Sequence, residues 1–140
     1  MTSTENQLTL RGTEEPSRDI EAVIHDVIGA AIAVHRALGP GFIEGIYENA
    51  LCLELNRCGI PHVRQHEIKV TYEGQPIGLH RLDLLIADTL IVELKAIRAF
   101  ESQHFAVVRS YLRAADLQHA LLINFAGFVV DVKRVYPRAW

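Results

Sequence analysis

The sequence predicts an α/β fold of the α+β type, in which helices flank a central mixed β-sheet. In the first part of the chain, apolar residues recur every three or four positions, as on the buried face of a helix. From about residue 63 the spacing changes to the alternation of a β-strand, and Gly and Pro separate the segments. The resulting order, α-α-β-β-β-α-β-β, is typical of one sheet covered by helices.

The composition fits one globular domain and excludes few functions. The chain has 140 residues, of which 49% are hydrophobic and 22% charged. The polar stretch 1–17 predicts a flexible N-terminal arm, and residues 18–140 predict a single domain. The net charge of −3 argues against non-specific coating of nucleic acid, because such binding needs Lys and Arg to neutralise phosphates. It leaves open an enzyme with a small acidic, metal-binding site.

The cysteines and the apolar runs predict a cytoplasmic protein. Cys52 and Cys58 have no Cys or His at metal-ligand spacing, which favours reduced thiols. No stretch is apolar for the length that a membrane span needs, and the polar start does not have the pattern of a secretory signal. We therefore expect no membrane partner.

Two helices are predicted before the first strand. An apolar stripe runs from Ile20 to Leu38 after Ser17, a plausible N-cap. It ends at "GPG" (39–41), because Gly can take the left-handed conformation of a helix C-terminus and Pro cannot continue the helix. The second helix is predicted from about Phe42 to Arg57.

The rest of the chain predicts five strands and one helix. "VRQHEIKVTY" alternates as a strand and precedes the turn "EGQP". The runs 81–86 and 90–95 predict an antiparallel hairpin around a loop at 87–89. A helix is predicted from about Ser102 to Ala115, and "ALLINFA" and "FVVDVKRV" predict the last two strands.

The hairpin carries hydrophilic residues inside two otherwise apolar runs: Arg81, Asp83, Glu93 and Lys95. If Ile86 lies opposite Leu90, Asp83 faces Glu93 and Arg81 faces Lys95. Side chains alternate across a strand, so these four residues share one face of the hairpin with two apolar residues, Leu85 and Ile91. The other face is wholly apolar and predicted to be buried: Leu82, Leu84, Ile86, Leu90, Val92 and Leu94.

Two carboxylates that face each other across a hairpin repel, and the sequence leaves three ways to relieve the repulsion. A divalent cation could bind between Asp83 and Glu93, since Mg²⁺ is commonly held by one or two carboxylates. Arg81 and Lys95 could flank the acids as ion-pair partners. One acid could have a raised pKa. From the spacing alone, an ordinary charged sheet face with two ion pairs is the favoured interpretation.

The acids also carry a family resemblance. Asp83, followed after about ten residues by Glu93-Leu94-Lys95, resembles the PD-(D/E)XK nuclease signature. The segment "VHRALGPGFIEGIYENAL" (34–51) contains G-x-x-E-x-x-Y at Gly41, Glu44 and Tyr47. With "RLDLLI", "LIVELKA" and "LLINF", it resembles the bacterial GxxExxY protein family, a branch of the PD-(D/E)XK superfamily, over roughly residues 20–136.

This resemblance implies a restriction-endonuclease-like core and a metal-dependent nuclease. Asp83 and Glu93 would hold Mg²⁺ or Mn²⁺, helped by the backbone carbonyl of Leu94. Lys95 would orient or activate the attacking water, or stabilise charge on the phosphate. Glu44 corresponds to the helix acid that many of these nucleases add. The substrate would be nucleic acid, with DNA favoured over RNA but RNA left open. A homodimer is expected because one small domain covers little of a duplex.

Further residues have both a functional and a structural interpretation. His35, Tyr47 and Arg81 could contact the site or the substrate, and His104 keeps its position in the family pattern. A hydrogen-bonded His35, a packed Tyr47 and an ion-paired Arg81 are the structural alternatives. Family members usually have Gln in the stretch that reads "HFAVVRSYL" (104–112) here, where Val107 stands instead.

Two rival functions therefore remain open. The chain could be a catalytically weak or inactive module that binds nucleic acid or a protein partner, which Val107 and the acidic charge favour. It could also be a scaffold in which the hairpin acids form only an ion-pair network. The scaffold alone predicts that removing Lys95 destabilises folding.

Overall fold

The computed structural model describes residues 19–138, so Ser17 and the predicted arm, residues 1–17, lie outside the described residues. The elements are α1 (Ile20–Leu38), α2 (Glu44–Arg57), β1 (His62–Tyr72), β2 (Gln75–Ile86), β3 (Leu90–Lys95), α3 (Ser102–Ala115), β4 (His119–Asn124) and β5 (Asp131–Val135). The predicted fold class and the order of its elements are confirmed. Asp19 is the N-cap of α1, because its side chain accepts a hydrogen bond from the Glu21 backbone N–H.

The strands form one mixed five-stranded sheet in the order β1-β2-β3-β4-β5. Only β3 and β4 are parallel, and the other neighbours are antiparallel. A parallel pair needs a long crossover, which α3 provides. Helices α1 and α2 cover one face of the sheet and α3 covers the other, so two apolar cores lie on either side of it.

The predicted hairpin register is confirmed for three pairs and ends there, so the predicted facing of Asp83 and Glu93 is not a regular pair of the hairpin. Ile86 pairs with Leu90, and the pairing stops at Leu84 and Val92. Beyond this point β2 leaves β3 and follows β1 instead, since the β1–β2 ribbon continues to the turn at residues 73–74. Arg81 therefore pairs with Glu67 of β1, which corrects its predicted position opposite Lys95.

The alternation of side chains breaks at the point where the strands separate. Leu82 packs in the same core as Leu85, on the α3 face, although the sequence predicted it on the face of Leu84. Gln65, between the β1 residues that pair with Leu84 and Leu82, has a φ of 52° and no regular partner. This left-handed residue of β1 lies opposite the part of β2 in which Leu84 and Leu82 face different cores.

Candidate active site

The G-x-x-E-x-x-Y segment builds the start of α2. Gly41 has a φ of 111°, a conformation that favours glycine, and Glu44 is the first residue of the helix. The fully buried Tyr47 donates its hydroxyl to the Gly39 carbonyl at 2.6 Å and accepts from the Phe42 N–H at 3.2 Å. Tyr47 thus ties down the loop that precedes α2, and this contact fixes where Glu44 lies.

Asp83 occupies the fork between β2 and β3. Its Oδ2 accepts a hydrogen bond of 2.8 Å from the backbone N–H of Leu94. The side chain therefore takes the place of a backbone acceptor just beyond the last regular pair, Leu84–Val92. Burial raises the pKa of Asp83, the Leu94 N–H opposes the rise, and the charge of Glu48 adds to it.

Glu93 is the buried acid of the site, with 6% of its surface exposed. Its Oε2 lies 3.6 Å from the Lys95 ammonium, while its Oε1 is buried and has no hydrogen-bond partner among the described residues. Burial, and then the charge of Asp83, raise the pKa of Glu93 to about 8, although Lys95 lowers it. Glu93 is therefore largely protonated at neutral pH unless another positive charge arrives.

The four residues implied as catalytic are close enough to influence one another electrostatically. The Glu44 side chain lies at the exposed rim, but partial burial of its carboxyl and the charge of Asp83 raise its pKa. Lys95 opposes the shift at Glu44, at Asp83 and at Glu93. The structure thus brings one cation and three acids together from α2, β2 and β3.

The sequence matches the PD-(D/E)XK nuclease superfamily over residues 21–135. The chain belongs to this superfamily. That match confirms the predicted resemblance at the level of the superfamily, and the narrower GxxExxY assignment stays a prediction. No functionally curated protein matches the chain.

Two solved structures share the fold of this PD-(D/E)XK protein. SSO0001 superposes with a TM-score of 0.54 at 14% identity, over 86% of this chain and 60% of its own. An alkaline exonuclease from Laribacter hongkongensis gives 0.51 at 12% identity, over 79% of this chain and 69% of its own. This chain thus spans three-fifths of the first structure, and identities this low establish the shared fold alone.

The sequence did not single out two polar residues at the PD-(D/E)XK site. Glu48 is buried one helical turn after Glu44, and Arg64 binds it with an N–O distance of 3.0 Å. Gln65 donates its amide to Glu48 at 3.1 Å and reaches Asp83 Oδ1 at 3.5 Å. The spacing of Glu44 and Glu48 could have indicated the first, because residues four apart share a helix face. Nothing in the sequence indicated Gln65.

Tyr111 of α3 also lies near the acids. Burial, followed by the charges of Glu93 and Asp83, raises its pKa to about 12. The phenol is therefore neutral and can donate a hydrogen bond at physiological pH. Tyr111 lies one turn after Val107, which is 45% exposed on the same helix. The sequence indicated only that Tyr111 faces inward.

Three candidate residues have partners away from the acids. The His35 Nε2 lies 3.1 Å from the Phe125 carbonyl and 2.8 Å from the Gly127 carbonyl, so its ring holds the loop after β4. The His104 Nδ1 accepts from the Glu101 N–H at 2.8 Å and caps the start of α3. Arg81 binds Glu67 at 2.9 Å. Each contact corresponds to a structural role rather than to contact with the acids.

The two carboxyl groups of Asp83 and Glu93 suit a metal ion that takes most of its ligands from water or substrate. Within residues 19–138, no three His, Cys, Asp or Glu side chains are arranged to hold a metal ion. Mg²⁺ and Mn²⁺ favour oxygen ligands, and Mg²⁺ usually keeps several waters beside one or two carboxylates. The unpartnered Oε1 of Glu93 is an available oxygen ligand. Water or substrate oxygens would complete the coordination.

Proposed function

We propose that this chain is a nuclease that depends on Mg²⁺ or Mn²⁺ and hydrolyses phosphodiester bonds. The observation that carries the proposal is Glu93, a buried carboxylate with an unpartnered oxygen beside Asp83 and Lys95. A buried polar oxygen that makes no hydrogen bond raises the free energy of the folded state, so the unpartnered Oε1 calls for a reason beyond stability. Membership of a nuclease superfamily supports metal binding as that reason.

The site residues would divide the work as follows. Asp83, Glu93 and the Leu94 carbonyl would hold the cation, and the hydrogen bond from the Leu94 N–H keeps the Asp83 carboxylate oriented. A bound divalent cation would polarise a phosphoryl oxygen and lower the pKa of bound water. Lys95 would orient the attacking water or stabilise charge on the phosphate. Glu44, at the exposed rim, would assist the same water from α2.

The wider setting of this activity is also a proposal. DNA is the favoured substrate, ahead of RNA, and the active unit is residues 18–140, as a monomer or a homodimer. None of the helices in the described part of the chain combines the length and apolar character that crossing a membrane requires. The described cysteines, buried Cys52 and exposed Cys58, are both free, which supports a cytoplasmic location.

A cleavage panel tests the proposal. Labelled single-stranded, double-stranded and branched DNA, and RNA, are incubated with the protein and Mn²⁺, Mg²⁺ or EDTA. Glu93→Ala, purified identically, reveals contaminating nuclease. Cleavage that needs the cation and is lost in Glu93→Ala would establish the enzyme and its substrate class. Equal cleavage by both preparations, or none, would contradict it.

A catalytically weak or inactive module is the second candidate, and Val107 favours it. The usual Gln at this position would offer an amide to water or phosphate, whereas the exposed Val107 offers none. The Gln65 amide lies 3.5 Å from Asp83 Oδ1, but it already donates a hydrogen bond to Glu48. Binding of nucleic acid without cleavage in the same panel would support this candidate.

A further inference from the structure

A polar cavity lies between the β1–β2 ribbon and α3. Its volume is about 360 Å³, within the range of small-ligand pockets, roughly 300–1,000 Å³. The residues that line it are Lys69, Val70, Thr71, His80, Ser110, Arg113 and Ala114. None of the described carboxylates lines this cavity.

One wall of the cavity comes from the β1–β2 ribbon and the other from α3. The register of β1 against β2 shifts between Val70 and Thr71, where β2 has one extra residue, Ile77. Residues 69–71 of β1 line the cavity at this irregularity. On the opposite wall, Ser110, Arg113 and Ala114 lie three and four positions apart on one face of α3.

The chemistry of the lining suits an anion. Lys69 and Arg113 bring two positive charges, although the whole chain has a net charge of −3. Lys69 forms no salt bridge with the other described residues. Thr71 adds a hydroxyl. Lys and Arg beside a hydroxyl are the usual protein partners of phosphate oxygens.

The positive surface continues along α3. A second cavity of about 280 Å³ shares Arg113 and is also lined by Arg109 and Arg138, with one acid, Asp116. The two cavities thus place three arginines and Lys69 along one side of the helix. A nucleic-acid backbone is an extended anion. A row of cations therefore matches a nucleic-acid strand better than it matches a single compact anion.

His80 and Tyr111 connect the first cavity to the acids. The His80 ring packs edge-on against Tyr111, with ring centroids 4.7 Å apart, and His80 Nε2 lies 3.1 Å from Ser110 Oγ. Tyr111 in turn lies within the electrostatic influence of Glu93 and Asp83. A strand whose reacting phosphate is at the acids would have a neighbouring part near the cavity.

We infer that the cavity of Lys69, Thr71 and Arg113 binds a phosphate group of the nucleic-acid strand, away from the phosphate that is cleaved. This inference rests on the proposed function, because it takes the same strand as its ligand. A free phosphate has the same chemistry, so the test separates the two sources. Binding here positions the strand and includes no chemical step.

Binding without cations tests the inference apart from cleavage. A labelled DNA oligonucleotide is titrated with protein in EDTA at several salt concentrations, using fluorescence anisotropy. Lys69→Ala should weaken binding about fivefold and reduce the slope of log affinity against log salt by about one. Lys133→Ala, which removes an equal charge from β5, is the matched control and should change neither quantity. Both lysines are exposed, so both variants should fold.

Amide NMR shifts identify the source of the phosphate. The oligonucleotide should shift the amides of residues 69–71 and 110–114, and inorganic phosphate should shift them only weakly. Strong shifts with inorganic phosphate and none with the oligonucleotide would overturn the assignment to a strand. An unchanged affinity and salt slope in Lys69→Ala, or no oligonucleotide binding by the wild type, would overturn the inference.

The two proposals fail in different ways. If Lys69→Ala still cleaves with a divalent cation and binds the oligonucleotide with unaltered affinity, the phosphate-binding role of the cavity is refuted and the proposed nuclease function stands. Oligonucleotide binding that depends on Lys69, in a protein that never cleaves, would refute the nuclease and support the cavity.

Discussion

At the scale of single residues, the environment of Glu93 suggests why two acids, Asp83 and Glu93, lie close together where β2 and β3 separate. Of the three ways to relieve the repulsion, two are present: Lys95 lies 3.6 Å from Glu93, and Glu93 has a raised pKa. Neither satisfies Glu93 Oε1, which has no partner in the described residues. The proposed cation is the remaining way to relieve the repulsion, and it would bind Glu93 Oε1, the oxygen that the other two leave without a partner.

The pKa of Glu93 predicts how the stability of the cation-free protein depends on pH. The folded chain keeps a proton up to a pKa of about 8, whereas an unfolded Glu loses it near its ordinary value of 4.5. The contribution of Glu93 to stability is therefore fully present below about pH 4.5 and is lost as the pH rises to about 8, at up to about 1.4 kcal/mol per pH unit. Urea unfolding in EDTA from pH 5 to 9 measures this slope.

Glu93→Gln should remove most of that slope, because the amide does not titrate. Glu54→Gln, on the far part of α2, is the control and should keep the wild-type slope. Equal slopes in all three proteins would show that Glu93 is not the group responsible.

A substitution of Lys95 distinguishes the nuclease hypothesis from the scaffold hypothesis. Lys95→Met should reduce cleavage at least about 100-fold, because the ammonium acts on water or phosphate. It should change the free energy of unfolding by less than about 1 kcal/mol, because Lys95 is partly exposed and the buried Glu93 can stay protonated without it. Single-turnover cleavage and urea unfolding measure the two effects, with Lys133→Met as control. A large loss of stability would instead favour an ion-pair scaffold.

At the scale of elements, the periodicity of the sequence predicted which segments are helices and strands. The bounds of β2 depend instead on its pairing with β1. The bounds of β3 and α3 agree with prediction. "LIVELK" is a short, mostly apolar run, and the apolar residues of α3 recur at helical spacing. β2 is much longer than predicted, since "QPIGLH" contains Pro and Gly and does not alternate. The left-handed conformation of Gln65 occurs where β1 pairs with β2 next to the point at which β2 and β3 separate. It depends on this pairing, so no local sequence pattern could predict it.

The loop before α2 offers a test at this scale. Tyr47→Phe removes the hydroxyl that bonds to both Gly39 and Phe42, so it should lower the free energy of unfolding by about 1–3 kcal/mol. Because the loop positions Glu44, cleavage should fall as well. Tyr72→Phe, on an exposed tyrosine of the ribbon, should change neither quantity. An unaltered stability in Tyr47→Phe would mean that the loop is held by other contacts.

Helix α3 carries the departure at Val107. Val107→Gln should increase cleavage about tenfold, equivalent to about 1.4 kcal/mol of the barrier, by supplying the missing amide. Stability should change by less than about 0.5 kcal/mol, because the position is exposed. Val129→Gln, at an exposed loop valine, controls for the substitution itself. No gain in rate would indicate that this site does not need the amide.

At the scale of the whole molecule, the site forms where three elements converge on a fork in the sheet. The resemblance pointed to Glu44, Asp83, Glu93 and Lys95, because each belongs to a sequence motif. Gln65 and Tyr111 could not be assigned that way, since they come from β1 and α3, whose packing against the acids no motif records. Glu48 shares α2 with Glu44 but is not part of the G-x-x-E-x-x-Y pattern. The superfamily and the fold follow from the comparisons, while the metal and the substrate remain proposals.

The central claim is that Asp83 and Glu93 hold a divalent cation, and calorimetric titration with Mn²⁺ and Mg²⁺ tests it most directly. The wild type should bind one ion at pH 7 and release about one proton from Glu93, seen as a heat that changes with the ionisation enthalpy of the buffer. Asp83→Asn and Glu93→Gln should abolish binding, and Glu54→Gln should retain it. Absence of binding in the wild type, or equal binding in Asp83→Asn, would contradict the claim.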